Sequence, residues 1–254
     1  MVNVKYNATI TNANTKKTLM TKLQTHRFSS PAKLNLFLHI VGRRVDGYHE
    51  LETLFQFLDY SDTIDLKVTP SSEIKLTNPI QGVSTQDNLL YKAAKILQES
   101  QKISLGVEIS INKILPMGGG LGGGSSNAAT VLLALNTLWN TKLSTTQLAN
   151  LGVQLGADVP IFIHGFSALA RGIGEQLTQK SPPEVWYLVS KPDCSISTQA
   201  VFTGKDLPRN TPKLVNDDIE LENTHNDCQT FVIKHYPKVA NLLSWLLEYA
   251  PSRM

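Results

Sequence analysis

The chain has 254 residues, 41% of them apolar and 18% charged, with a formal net charge of +3. That length supports a real core and a two-domain organisation, and so small a charge gives no grounds for a nucleic-acid or membrane partner. Two cysteines, Cys194 and Cys228, suit neither a disulfide framework nor a zinc site, and no apolar run approaches the ~20 residues a membrane span needs. The expectation is a cytoplasmic protein, monomer or homodimer.

Residues 1–28 read as a polar extension, with five Lys/Arg before position 28 and no acid until Asp46. Ala32 to Val41 predicts a strand, 42–49 a loop around Gly47, and Leu51–Leu58 and Thr63–Val68 two more strands. Leu89 to Gln101 has helical spacing, and Gly106–Asn112 reads as a strand. Helices are predicted over Ser125–Trp139, with a serine cap, and Ser144–Leu155, where Gln147 stands at capping-box distance from Ser144. Ser167–Ala170 and Val185–Ser190 read as strands on either side of a junction at Pro182-Pro183. A basic loop, Pro208-Arg209-Asn210-Thr211-Pro212-Lys213, and a helix over Val239–Tyr249 follow. Strands in hairpin-like succession with helices around them make the fold class α+β.

The densest signal is Pro116-Met117-Gly118-Gly119-Gly120-Leu121-Gly122-Gly123-Gly124-Ser125-Ser126, which opens into an apolar helix. Glycine is costly in regular elements but lets a backbone approach a ligand and aim several N–H groups at one point. A helix N-terminus behind such a loop attracts anions, so the expected ligand is a nucleotide phosphate. A P-loop is excluded because no lysine follows the last glycine, and a dinucleotide fold is disfavoured because no acid occurs between Glu108 and Asp158. Asp158 is then the only carboxylate before Glu175, between Gly156 and Pro160. It reads either as a turn cap or as a base for a hydroxyl proton. Lys33 and Asn35, two apart on a strand, share one face. That face is either a solvated surface or a place where Lys33 stabilises charge on a transferring phosphoryl group.

Taken together, Ser30-Pro31-Ala32-Lys33-Leu34-Asn35, the Asp46-Gly47-Tyr48-His49 loop, the 116–126 run and Gly156-Ala157-Asp158-Val159-Pro160 resemble the GHMP kinase superfamily. The likeness is to its branch acting on a cytidine-diphosphate-linked alcohol in non-mevalonate isoprenoid synthesis, and it runs from about Ser29 to Met254. It implies an ATP-dependent kinase with Lys33 and Asp158 as catalytic pair. The 116–126 run and Lys113 would hold ATP. The substrate would lie against Asn35, Tyr48, His49, Thr198 and Phe202, its cytosine between Tyr48 and Phe202. Magnesium is expected with ATP; with no second carboxylate near the loop, Ser125 or Ser126 is left as its protein ligand.

The resemblance also implies an N-terminal domain, 29–181, like the second domain of ribosomal protein S5, and a ferredoxin-like C-terminal domain, 182–254. Relatives of this kind continue beyond the equivalent of Met254 into a third glycine-rich motif. The C-terminal domain is therefore expected to be truncated, with an unpaired sheet edge and reduced ATP affinity. Alternatives are a GHMP-type kinase for homoserine or mevalonate, or a nucleotide-binding protein without turnover.

Overall fold

The computed structural model describes residues 24–215, 217 and 219–249. Most of the predicted extension, and residues 250–254, lie outside them. Strand β1, Thr25–Arg43, pairs antiparallel with β2, His49–Thr69. Pairing begins at Thr25 opposite Lys67, so the sheet starts before the boundary expected at residue 29. The two strands predicted over 51–58 and 63–68 are one. Asp59 to Asp62 holds no Gly or Pro to turn the chain, and Ser61 and Asp62 pair with Pro31 and Ser30.

Four shorter strands complete one six-stranded sheet: β3 (Ile74–Leu76), β4 (Gly106–Asn112), β5 (Ala168–Arg171) and β6 (Gln176–Gln179). On the side away from β1, β2 pairs with β4 through Thr63–Thr69 and with β5 through Thr53–Phe55. β3 adds to β4 in parallel and β6 to β5 antiparallel. Helices α1 (Leu89–Ser100), α2 (Gly123–Leu138), α3 (Thr145–Val153) and α4 (Val159–His164) cover one face. The main core joins Ile64, Leu66 and Val68 of β2 and Val107, Ile109 and Ile111 of β4 to Leu90 and Leu97 of α1 and Leu132 and Leu135 of α2. Side chains in Asp62–Thr69 alternate between buried and part-exposed, as expected of a sheet covered on one face. Glu52–Phe55 are buried without alternation, because the chain beyond residue 182 covers the other face there.

That later chain forms α5 (Thr198–Thr203), a 3₁₀ turn at Leu221–Asn223, α6 (Cys228–His235) and α7 (Pro237–Tyr249). Ile40 packs with Val201, Leu207 and Phe231; Leu38 exchanges backbone hydrogen bonds with His225 and Asp227. The strand predicted at Val185–Ser190 is not formed, and 182–249 contributes no strand among the described residues. An extended segment becomes a strand only beside a partner, and none stands beside 185–190. The α+β fold thus holds, while the ferredoxin-like sheet expected after residue 182 is not built by these residues.

Candidate active site

The glycine run leaves β4 through Lys113–Leu115 and turns back on itself. Gly118, Gly120 and Gly122 have φ of 67°, 73° and 69°, a left-handed region that side chains disfavour. Helix α2 begins at Gly123, capped by Gly122, and not at a serine cap as expected. The left-handed turn at Gly122 allows the helix to start two residues earlier. Its first hydrogen bond runs from Ser126 N–H to Gly122 C=O at 2.8 Å. The amides of Gly123, Gly124 and Ser125 precede that bond, which leaves three N–H groups at the helix's positive end.

A Cβ on Gly122 would stand 2.8 Å from the Phe162 ring and 3.1 Å from Lys33 Cε. Gly122→Ala is therefore expected to displace the loop at a cost of about 2 kcal/mol. With ATP on this loop, as the resemblance implies, its KM should rise about tenfold or more in steady-state kinetics.

Beneath the loop lies a carboxylate that spacing alone did not reveal, contrary to the expectation that none stands near it. Asp62 of β2 is fully buried. Its Oδ1 accepts from the Ile114 and Leu115 amides at 2.7 and 2.8 Å. Its Oδ2 accepts from Lys113 Nζ at 2.7 Å and Asn127 Nδ2 at 2.9 Å. Lys113 also donates to the Leu115 carbonyl, so its ammonium is engaged under the loop. Ser126 points into this layer too. It is fully buried and its hydroxyl meets Ser30 Oγ at 2.9 Å. Of the two serines, only Ser125 lines the cleft, while the Ser126 side chain turns into the layer beneath it. α2 turns by about 100° per residue, so consecutive serines cannot face the same way.

Lys33 sits where β1 departs from regular pairing, with shifts of register on either side of the Lys33–Asn35 stretch. Such bulges re-aim side chains. Lys33 N–H donates to Leu121 C=O at 3.0 Å, which stitches the glycine loop to β1. Its ammonium, nearly buried, lies 3.5 Å from Asp158 Oδ2, 2.5 Å from Asn35 Oδ1 and 5.3 Å from the Phe55 ring centre. Asn35 in turn donates to Thr53 Oγ1 at 2.8 Å. The Lys33–Asn35 face is thus an interior one. Asp158 precedes α4 but makes no capping bond; its side chain is 37% exposed. The turn-cap reading of Asp158 is set aside, and the carboxylate is free to face the cleft.

At the far end, Tyr48 is largely exposed in the β1–β2 turn, and His49 opens β2. The rings of His49 and Phe202 are 5.4 Å apart. Phe202 is carried by α5, whose first residue is Thr198 and whose cap Ser197 accepts from the Ala200 amide. His49 Nε2 accepts from Arg209 Nε at 3.0 Å. Burial first, then the charges of Arg209 and Arg43, holds its pKa below the ordinary histidine value. Cys228 also borders the cleft; burial and then Asp227 push its thiol up to about 11, so it stays protonated.

All of these elements border one cleft of about 1210 Å³. It brings together Lys33, Asn35, Tyr48, His49, Lys113, the 116–125 loop, Asp158, Thr198 and Phe202. That volume exceeds a typical single-ligand pocket and has room for two substrates. Among the described residues no three His, Cys, Asp or Glu gather as a metal cage, and no helix is long and apolar enough to cross a membrane.

The free amides at the start of α2 and the Lys33–Asp158 pair thus share one cleft. Residues 88–166 match the GHMP kinases N terminal domain. The chain is 63% identical, over 89% of its length and 77% of the relative's, to the 4-diphosphocytidyl-2-C-methyl-D-erythritol kinase of Colwellia psychrerythraea (strain 34H / ATCC BAA-681). A solved 4-(cytidine 5'-diphospho)-2C-methyl-D-erythritol kinase superposes with a TM-score of 0.70 at 34% identity, over 85% of this chain and 81% of that one. The homoserine kinase of Cytophaga hutchinsonii ATCC 33406 shares the fold at 16% identity and TM-score 0.53, over 74% of this chain and 61% of that one. The chain belongs to the 4-diphosphocytidyl-2-C-methyl-D-erythritol kinase family.

Proposed function

We propose that the chain transfers the γ-phosphoryl group of ATP to the 2-hydroxyl of 4-diphosphocytidyl-2-C-methyl-D-erythritol. The observation that carries this reading is the Lys33–Asp158 pair, 3.5 Å apart, in the same cleft as the free amides of α2. Those amides and the helix dipole bind the nucleotide phosphates. Asp158 accepts the proton of the attacking hydroxyl, and Lys33 stabilises the charge that develops as the phosphoryl group moves. Asn35, held by Lys33 and Thr53, orients the acceptor's hydroxyls. Tyr48, Phe202 and His49 hold the cytosine, and Thr198 lies toward that end.

The Ser125 hydroxyl is a hard oxygen donor that suits magnesium, which would draw its other ligands from phosphate and water. When bound, it neutralises phosphate charge. With ATP as co-substrate, the reaction belongs in the cytoplasm.

The test is the purified chain with ATP, magnesium and three acceptors: the cytidylylated methylerythritol, homoserine and mevalonate. Only the first is expected to gain a phosphoryl group by mass spectrometry. Turnover of either other alcohol in its place would transfer the reading to another GHMP-type kinase. Nucleotide binding without product would reduce it to a binding protein.

A further inference from the structure

The basic loop 208–213 has no part in the chemistry above, yet Arg209 reaches into the cleft. Its Nε donates to His49 Nε2 at 3.0 Å, Nη1 to the Leu207 carbonyl at 3.0 Å, and Nη2 to the Phe202 and Gly204 carbonyls at 3.3 and 2.5 Å. One planar fork therefore holds both the ring of His49 and the end of the helix that carries Phe202. Gly204 cannot bear a side chain, because its Cβ would run into Phe231 of α6. The close seat of α5 on α6 fixes the carbonyls that orient the guanidinium.

We propose that Arg209 is a positioning residue for base recognition, which locks His49 as the neutral tautomer protonated at Nδ1 and so selects cytosine over uracil. The inference rests on the function proposed above. A guanidinium has only donors and keeps its protons, so the nitrogen it meets must offer a lone pair. His49 Nε2 is that acceptor, and the single ring proton is left on Nδ1. The lowered pKa of His49 agrees, since a second ring proton is disfavoured. A fixed lone donor complements N3 of cytosine, which is an acceptor. Against uracil it faces N3–H, donor against donor, and the mismatch leaves both groups unpaired.

The experiment uses CDP and UDP as probes of the full chain and its variants, with ¹⁵N NMR of His49. The wild type should bind CDP at least about tenfold more tightly than UDP, the worth of one well-placed hydrogen bond. Arg209→Met should bring the two within about threefold of each other and shift His49 toward the Nε2–H form. ATP affinity and kcat at saturation should stay within about twofold, so the loss falls on KM for the cytidylylated substrate alone. Arg209→Lys keeps a donor-only cation, covers the case in which loss of the fork loosens α5, and should retain the Nδ1–H form and part of the selectivity. Unchanged CDP selectivity and an unchanged tautomer in Arg209→Met would overturn the inference alone. A wild type that binds neither CDP nor UDP would overturn it together with the functional reading.

Discussion

Asp158→Asn is expected to lower kcat about a thousandfold while leaving ATP affinity within about threefold of wild type. The two outcomes separate because two different elements supply the two tasks. On the proposed function, phosphate binding rests on the Gly123, Gly124 and Ser125 amides, which the substitution does not touch. The hydroxyl proton needs an acceptor, and asparagine matches the shape of aspartate without its basicity. Asp158 makes no capping bond, so the change removes no helix cap, but it takes the carboxylate away from the nearly buried Lys33 ammonium, and a fall in Tm should accompany the loss of turnover. Steady-state kinetics with an ATP titration of the same variant checks both halves. Turnover equal to wild type would remove Asp158 from the mechanism; a collapse of ATP binding would make its role electrostatic support of the loop.

Asp62→Asn should lower stability by about 3 kcal/mol, a drop in Tm of roughly 6–12 °C for a chain of this size. Asp62 is fully buried with four donors converging on its two oxygens. An amide turns one oxygen into a donor, so it must oppose either the backbone pair or Lys113 and Asn127. Lys113, one-fifth exposed, would then lack its carboxylate under the glycine loop. Because the Lys113–Leu115 segment leads straight into that loop, ATP KM should rise as well. Thermal melts and ATP titration give the readings. The exposed Arg27–Asp65 pair on the same strands is the internal control: Asp65→Asn should barely move either measurement. Equal behaviour of the two variants would refute the buttressing role of Asp62.

Local patterns were legible where the chain uses local physics. β4 occupies the span its alternation predicted, and the Ser144–Gln147 capping box forms as its spacing required. The glycine run announced a turn into a helix, although not that Gly122 would itself become the cap. Short β3 has only three residues, too few to establish a period. Contacts between distant residues left no mark at all. Asp62 meets Lys113 and Asn127 from 51 and 65 residues away, and Arg209 reaches His49 across 160. Lys33 and Asp158 were nameable by residue type and setting; their separation of 3.5 Å was not. At 185–190 a strong strand pattern went unmet, since pairing depends on a neighbour that the pattern itself does not encode.

Strand β2 carries His49 at its first residue and, within the same unbroken element, Phe55 opposite Asn35. About 20 Å of extended backbone lies between those points. It is clamped to β1 on one side and, over Thr53–Phe55, to β5 on the other. On the proposed function this makes β2 a measuring stick: the interval between base and reacting alcohol is set by covalent geometry, not by a closing motion. An acceptor with a shortened pyrophosphate bridge could then occupy either end of the gauge, but never both at once.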